Sequence, residues 1–98
     1  MVVSNKVVIK NSLGLHLRPA GILCKTAIEF QSNINFKLKD TTANAKSVLG
    51  VLGACVKTGD EIEITCEGED EEEALITIVK AIEAGLGEEL PNSLDTTS

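Results

Sequence analysis

The chain has 98 residues, of which 43% are apolar, and its nine Lys and Arg against fifteen Asp and Glu give a net charge of −6. These values favour one globular domain and exclude collagen-like, disordered and coiled-coil chains. Because no apolar run approaches the roughly 20 residues that span a bilayer, and the first ten residues lack a signal-peptide pattern, we expect a soluble cytoplasmic protein.

The charge is distributed unevenly along the chain. Residues 1–46 carry seven basic and two acidic side chains, a net charge of +5, whereas residues 47–98 carry two basic and thirteen acidic ones, a net charge of −11. A net acidic chain is a poor general ligand for nucleic acid, whose phosphates require a basic face. We therefore expect no direct nucleic-acid partner and look for the function of the basic half.

The three cysteines do not form a metal or disulfide pattern. Cys24, Cys55 and Cys66 are odd in number, no CxxC motif occurs, and the chain has a single histidine. Structural zinc and a disulfide framework are both disfavoured by this spacing. We expect three small buried thiols in a reducing compartment, with no metal site.

The first half of the chain alternates between strand and helix patterns. β-branched residues predict a first strand, and a change to helical spacing predicts a helix with Pro19 in its first turn, where a missing N–H is tolerated. Alternating apolar and polar residues then predict a strand with one buried face, and a turn at 40–42 leads into a return strand. The predicted elements are a strand at 3–10, a helix at 17–29 and strands at 33–39 and 43–46.

The second half predicts a short helix, a strand and a longer helix. Ser47 precedes a brief apolar run and is expected to be its N-cap, because the serine hydroxyl accepts first-turn amides. Alternation over Ile62–Cys66 predicts a half-exposed strand. Asp70 and Glu73 predict a capping box at the start of the last helix, and Gly85 marks its end. Its apolar stripe is Leu75, Ile78, Val79, Ile82 and Leu86.

The element order β-α-β-β-α-β-α predicts an α+β fold. Short strands with hairpin links, together with helices that carry one apolar stripe, favour an open-faced β-sandwich in which three helices cover one face of a four-stranded antiparallel sheet. We expect residues 1–89 to form this domain and residues 90–98 to be a disordered polar tail.

The only histidine, His16, lies at the predicted mouth of the first helix, with Arg18 two residues later. First-turn amides of a helix are unpaired and favour an anion, an arginine fork binds phosphate oxygens, and neutral imidazole is a nucleophile. The combination predicts a phosphoryl group accepted by His16 and stabilised by Arg18 and the backbone amides of Leu17 and Arg18. The alternative for a histidine taken alone is a capping or surface role.

Two blocks of sequence carry a family resemblance. The segment Leu13–Gly21, LGLHLRPAG, resembles the phosphorylation-site signature of HPr, the histidine-containing phosphocarrier family of the sugar phosphotransferase system. Asn44–Gly53, NAKSVLGVLG, resembles the regulatory-serine segment of that family, and Glu67–Ala74 is similar too. The resemblance covers about residues 3–89, and one departure is Leu17, which stands where a small polar residue is often found.

The resemblance implies a phosphoryl carrier rather than an enzyme. His16 would accept a phosphoryl group on Nδ1 from phosphorylated enzyme I and pass it to sugar-specific IIA domains, without a metal or cofactor. The resemblance also implies that an HPr kinase/phosphorylase modifies Ser47 in carbon catabolite repression, with a catabolite-control transcription factor as a further partner. We expect a monomer that does not insert into a membrane.

The short helix after Ser47 also predicts a docking surface. Its four apolar residues cannot all face inward, so some are expected to form an exposed apolar patch beside the active site, rimmed by basic side chains. Core packing is the alternative for some of them. The predicted docking residues are Val48, Leu49, Val51, Leu52, Lys25 and Lys46.

The sequence leaves four alternatives to the phosphocarrier to compare. A regulatory paralogue serving a nitrogen-related or catabolite-signalling branch is disfavoured because His16 and Ser47 occur together. A hydrolase of acylphosphatase type would need a glycine-rich signature that is absent, and a copper chaperone would need a CxxC motif near the first loop. A plain interaction module remains open if His16 is inert.

Overall fold

The computed structural model describes residues 2–89 and contains the predicted order of elements. The predicted tail at 90–98 lies outside the described residues. Within residues 2–89, no helix is both long and apolar enough to cross a membrane. The elements are β1 (Val2–Val8), α1 (Leu17–Ile28), β2 (Asn33–Leu38), β3 (Thr41–Asn44), α2 (Val48–Gly53), β4 (Glu61–Glu67) and α3 (Glu71–Glu83).

The strands form one antiparallel sheet in the order β1-β4-β2-β3. β4 is central, and its residues alternate between a buried face with Ile62, Ile64 and Cys66 and an opposite face that is at least partly exposed. The three helices cover the buried face and leave the other face open. The α+β open-faced sandwich predicted from the sequence is therefore confirmed.

The core lies between the sheet and the helices and is almost entirely aliphatic. Leu23 of α1, Phe36 of β2 and Ile78 of α3 are completely buried, and each such side chain contributes about 1.5–3 kcal/mol by leaving water. The apolar stripe of α3 is confirmed for Ile78 and Ile82, which are buried, whereas Leu75 and Val79 are half-buried and the buried Leu86 lies beyond the end of α3. This packing fixes the start of α1, where His16 lies, relative to the sheet.

The predicted boundaries of the return strand are wrong. β3 begins at Thr41 and ends at Asn44, two residues earlier than the predicted range of 43–46. The turn before it is tighter than expected because Lys39 adopts a left-handed backbone with φ of 55°. A reversal over residues 39–40 brings Phe36 opposite Ala43 in the β2–β3 ladder.

The predicted capping box at the start of α3 is also wrong. Asp70 precedes the helix but its side chain makes no capping bond. Its carboxylate instead accepts hydrogen bonds from the backbone amides of Gln31 and Ser32, each 2.9 Å away, and from the hydroxyl of Ser32. The Ser32 hydroxyl and these amides lower the pKa of Asp70. Asp70 therefore joins the start of α3 to the turn that precedes β2.

One of the three cysteines departs from the expectation of buried thiols. Cys24 and Cys66 are buried, but Cys55 is exposed after α2, where its φ is 55°. Burial, together with the negative charges of Asp70 and Glu71, raises the pKa of Cys66 to about 11. Cys66 is therefore a protonated core side chain near neutral pH.

Candidate functional site

The backbone that leads to His16 lies directly on the segment between α2 and β4. The amide of Leu15 donates to the carbonyl of Val56 at 3.0 Å. Gly14 has φ of 68°, and a Cβ there would lie 2.3 Å from the same carbonyl oxygen. Only glycine fits this close approach, so the contact places His16 at the start of α1.

The first turn of α1 offers two backbone donors. His16 is the N-cap, its side chain makes no capping bond, and its carbonyl accepts from Ala20 at 2.9 Å. Pro19, the third helical residue, has no N–H to offer. In the described part of the chain, the amides of Leu17 and Arg18 have no acceptor. The two amides named from the sequence are therefore adjacent donors beside His16.

The His16 ring is bound on one side by a carboxylate. Its Nε2 lies 2.7 Å from Oε2 of Glu88, and the side chains of His16 and Glu88 are 35% and 23% exposed. Oε1 of Glu88 accepts from Nδ2 of Asn11 at 2.8 Å, and the same nitrogen donates to the carbonyl of Gly85 at 2.9 Å. No residue between 2 and 89 binds Nδ1 of the ring. The arrangement engages Nε2 and leaves Nδ1 open.

Glu88 is held in its ionised form by its neighbours. The hydrogen bond from Asn11 lowers the pKa of the Glu88 carboxyl, and this effect and the contribution of His16 outweigh the opposing effect of burial. The charge of Arg18 acts in the same direction. Because an ionised carboxylate only accepts hydrogen bonds, Nε2 of His16 must carry the proton between them.

Sequence reasoning missed both Asn11 and Glu88. They lie 77 residues apart in the chain, so no local spacing joins them. A partial signal existed in the two glycines after α3, since Gly85 and Gly87 have φ of 99° and 83° and reverse the chain. A Cβ on Gly87 would lie 3.4 Å from the side chain of Ile22 in α1. The chain after α3 thus returns along α1 towards His16.

Ser47 is the N-cap of α2, as predicted. Its Oγ accepts from the amide of Gly50 at 3.0 Å, and its side chain is half-buried. Within residues 2–89, no hydrogen bond connects Ser47 to His16. α1 and α2 nevertheless pack against each other, so both sites lie on the same pair of helices.

The predicted docking residues divide into exposed and packed positions. Leu49 is 82% exposed, and Leu17 on the adjoining α1 is 67% exposed. Val51 is completely buried and Leu52 packs against the core, so these two side chains are part of the fold. Val48 is half-buried. Leu49 is therefore the one predicted docking residue with an exposed apolar side chain, and Leu17 at the start of α1 is exposed as well.

The basic side chains expected at the rim also differ from one another. Arg18 and Lys25 are exposed. The ammonium of Lys46 donates to the carbonyl of Phe30 at 2.7 Å, just beyond the end of α1, and its own carbonyl accepts from the thiol of Cys24 at 3.0 Å. Lys46 is thus tied to α1 and half-buried, and Arg18 and Lys25 supply the exposed positive charge.

Residues 2–89 contain no cluster of three or more His, Cys, Asp or Glu side chains placed to hold a metal ion. The donors around His16 are amides and a guanidinium, which suit an anion. The chemistry of these donors is therefore that of an anion site rather than of a metal site.

Comparisons with known proteins agree with this chemistry. Residues 3–84 match the family model described as the PTS HPr component phosphorylation site. The phosphocarrier protein HPr of Lysinibacillus sphaericus is 39% identical over 77 residues, which cover 78% of this chain and 88% of that protein. The multiphosphoryl transfer protein of Salmonella typhimurium is 42% identical over 90 residues, but these are 89% of this chain and only 24% of that protein.

A solved structure has the same fold. The crystal structure of an HPr from Thermoanaerobacter tengcongensis matches with a TM-score of 0.85 and 40% identity, covering 90% of this chain and 99% of that one. Both the sequence and the arrangement of the elements are therefore shared with proteins that are named for carrying phosphate.

Proposed function

Because the chain belongs to the HPr family of the phosphotransferase system, we propose that it is a phosphocarrier that accepts a phosphoryl group on His16. The donor is phosphorylated enzyme I, and the acceptors are sugar-specific IIA domains. The chain acts as a carrier and not as an enzyme. We place this function in residues 1–89 and in the cytoplasm.

The observation that carries the proposal is that Nδ1 of His16 has no partner among residues 2–89 and that the two amides following His16 are unpaired. Transfer is an in-line displacement, in which positioning and charge stabilisation supply most of the catalysis. The amides of Leu17 and Arg18 and the guanidinium of Arg18 supply donors for the phosphoryl oxygens. No metal or cofactor is part of the proposal.

Labelling tests the proposal. We expect label from phosphoenolpyruvate, delivered by enzyme I, to appear on the chain in an acid-labile and base-stable form, as a phosphoramidate requires. His16→Ala should take no label, and Arg18→Ala should take it more slowly because a donor to the phosphate is lost. Label that survives in His16→Ala contradicts the proposal.

We further propose that Ser47 is a regulatory phosphorylation site in carbon catabolite repression. Phosphate at an N-cap is compatible with the helix dipole, so α2 can persist while its charge repels an acidic partner. An HPr kinase/phosphorylase and ATP should give an acid-stable phosphate that Ser47→Ala abolishes. A catabolite-control transcription factor is the expected reader of that phosphate, and phosphate found at another residue refutes the assignment.

We propose that the exposed apolar side chains of Leu17 and Leu49 form the docking surface for enzyme I and IIA domains. Arg18 follows Leu17 in the chain, and Lys25 lies on the same helix. The packed residues Val51 and Leu52 support this surface from beneath.

We propose a monomeric carrier, which sedimentation at micromolar concentration tests directly, since a dimer has twice the mass.

A further inference from the structure

The carboxylate of Glu88, which contacts Nε2 of His16, is not explained by phosphate binding, because a negative charge repels a phosphoryl group. We propose that Glu88, held in place by Asn11, is a positioning residue that keeps the proton on Nε2 of His16 and balances the positive charge of the ring when Nδ1 carries the phosphoryl group. This inference rests on the proposed phosphocarrier function and adds the two residues that set the state of its histidine.

The geometry of the contact is that of a fixed dyad. Glu88 uses one oxygen for His16, at 2.7 Å, and the other for Asn11, at 2.8 Å. The carboxylate therefore cannot rotate without losing one of its partners. A charge-assisted bond of this length is stronger than a neutral one.

Asn11 is a buried clamp rather than a surface residue. It is 1% exposed, and its Nδ2 donates to both Gly85 and Glu88. Because both partners are acceptors, the amide nitrogen must point towards them. Its Oδ1 is buried without a hydrogen-bond partner in the described structure, a cost that the two donor contacts must outweigh. The orientation of Asn11 is thus dictated by the carbonyl and the carboxylate.

The chemistry balances with the proton on Nε2 throughout. The Nδ1 lone pair forms the new N–P bond, and the electron pair of the breaking P–N bond returns to the donor imidazole of enzyme I. The His16 ring, with hydrogen on Nε2 and phosphorus on Nδ1, then carries a positive charge beside the Glu88 carboxylate. A carboxylate that accepts from the second ring nitrogen both selects the tautomer and stabilises the imidazolium that forms.

The same contact favours delivery. When the phosphoryl group leaves for a IIA domain, a ring that keeps its Nε2 proton departs as neutral imidazole, whereas a ring without it would depart as imidazolate, a much poorer leaving group. Glu88 therefore assists both loading and unloading. Because it lies on Nε2, it leaves Nδ1 open to the phosphoryl group.

The first test is spectroscopic and uses the unphosphorylated chain. His16 is the only histidine, so a ¹⁵N-histidine-labelled sample gives one ring and needs no assignment. We expect a protected Nε2–H proton resonance in the wild type and in Glu88→Gln, whose amide oxygen still accepts. We expect its loss in Glu88→Ala. A signal that persists unchanged in Glu88→Ala overturns the inference.

The second test measures phosphoryl transfer from enzyme I. Glu88→Gln, which keeps the acceptor but not the charge, should lower the maximal rate about tenfold, and Glu88→Ala should lower it further. The carrier concentration at half-maximal rate should change less than twofold in both. Glu89→Gln removes the same charge from the adjacent exposed residue and is the matched control, with wild-type rates expected.

A double-mutant comparison tests whether Asn11 acts through Glu88. Asn11→Ala should slow transfer in the wild-type background but not in the Glu88→Ala background. Additive losses overturn the role assigned to Asn11. If Glu88→Ala transfers as fast as the Glu89→Gln control, the inference about Glu88 is overturned and the proposed function is unaffected. If the wild-type chain takes no label, the proposed function is refuted, and with it the role of Glu88 in transfer.

Discussion

Gly14→Ala should destabilise the fold and displace His16 at the same time. The new Cβ would lie 2.3 Å from the carbonyl oxygen of Val56 and 2.8 Å from Cα of Lys57. Both neighbours are backbone, so the loop before His16 must move by about 1 Å to restore ordinary contact. The left-handed backbone costs about 1 kcal/mol without glycine, and loss of the Leu15–Val56 hydrogen bond costs about another 1 kcal/mol.

We therefore expect the free energy of unfolding of Gly14→Ala to fall by about 2–3 kcal/mol. Urea denaturation followed by far-UV circular dichroism measures it, since the chain has no Trp or Tyr for fluorescence. A displacement of about 1 Å at a reacting group can cost about a hundredfold in rate, so phosphorylation of His16 by enzyme I should slow by a similar factor.

Gly21→Ala is the matched control for stability. Gly21 lies inside α1, and a Cβ there meets nothing within 4 Å. Because alanine favours the helix over glycine, this variant should be more stable by about 0.5–1 kcal/mol. If Gly14→Ala unfolds at the wild-type urea concentration and transfers at the wild-type rate, the close contact with Val56 does not constrain the site.

Three further outcomes are expected. The Ser32 hydroxyl and backbone amides lower the pKa of Asp70 from its ordinary value of 3.8. The contribution of Asp70 to the free energy of unfolding is therefore present above that value and is lost as the pH falls below about 4. In unfolding titrations, the free energy of unfolding of Asp70→Asn should fall less steeply with acid than that of the wild type. Leu49→Glu should weaken binding to enzyme I, measured by calorimetry, with an unchanged unfolding free energy, and unchanged affinity contradicts the docking surface. A maleimide should modify only Cys55 in the native chain, and reaction at Cys66, whose pKa is raised to about 11, would contradict its burial.

Local patterns were sufficient to predict the fold because each element has its own period or cap. The alternation in β4, the stripe of α3 and the Ser47 cap are properties of a few neighbouring residues, and all three are present in the structure. The turn at Lys39 was misplaced because lysine rarely adopts a positive φ, so the residue type carries no signal for it.

Contacts between distant residues could not be predicted in the same way. Asp70 has the spacing of a capping residue, but its carboxylate accepts from three other donors. They are the amides of Gln31 and Ser32 and the hydroxyl of Ser32. Glu88 and Asn11 lie outside the predicted helices and strands, so no local pattern assigns them a role. Only the reversal after α3 brings them together.

The placement of charge around His16 resolves a conflict that a reversible carrier must face. A site built only from cations and amides would bind the phosphoryl group tightly and release it slowly. The first-turn amides that follow His16 are unpaired donors for an anion, whereas Glu88 accepts at Nε2 of the ring. The carboxylate thus stabilises the charge that the imidazole acquires without adding to the attraction for phosphate. On the proposed function, the amides act on the phosphoryl oxygens and Glu88 acts on the charge and the proton of the ring.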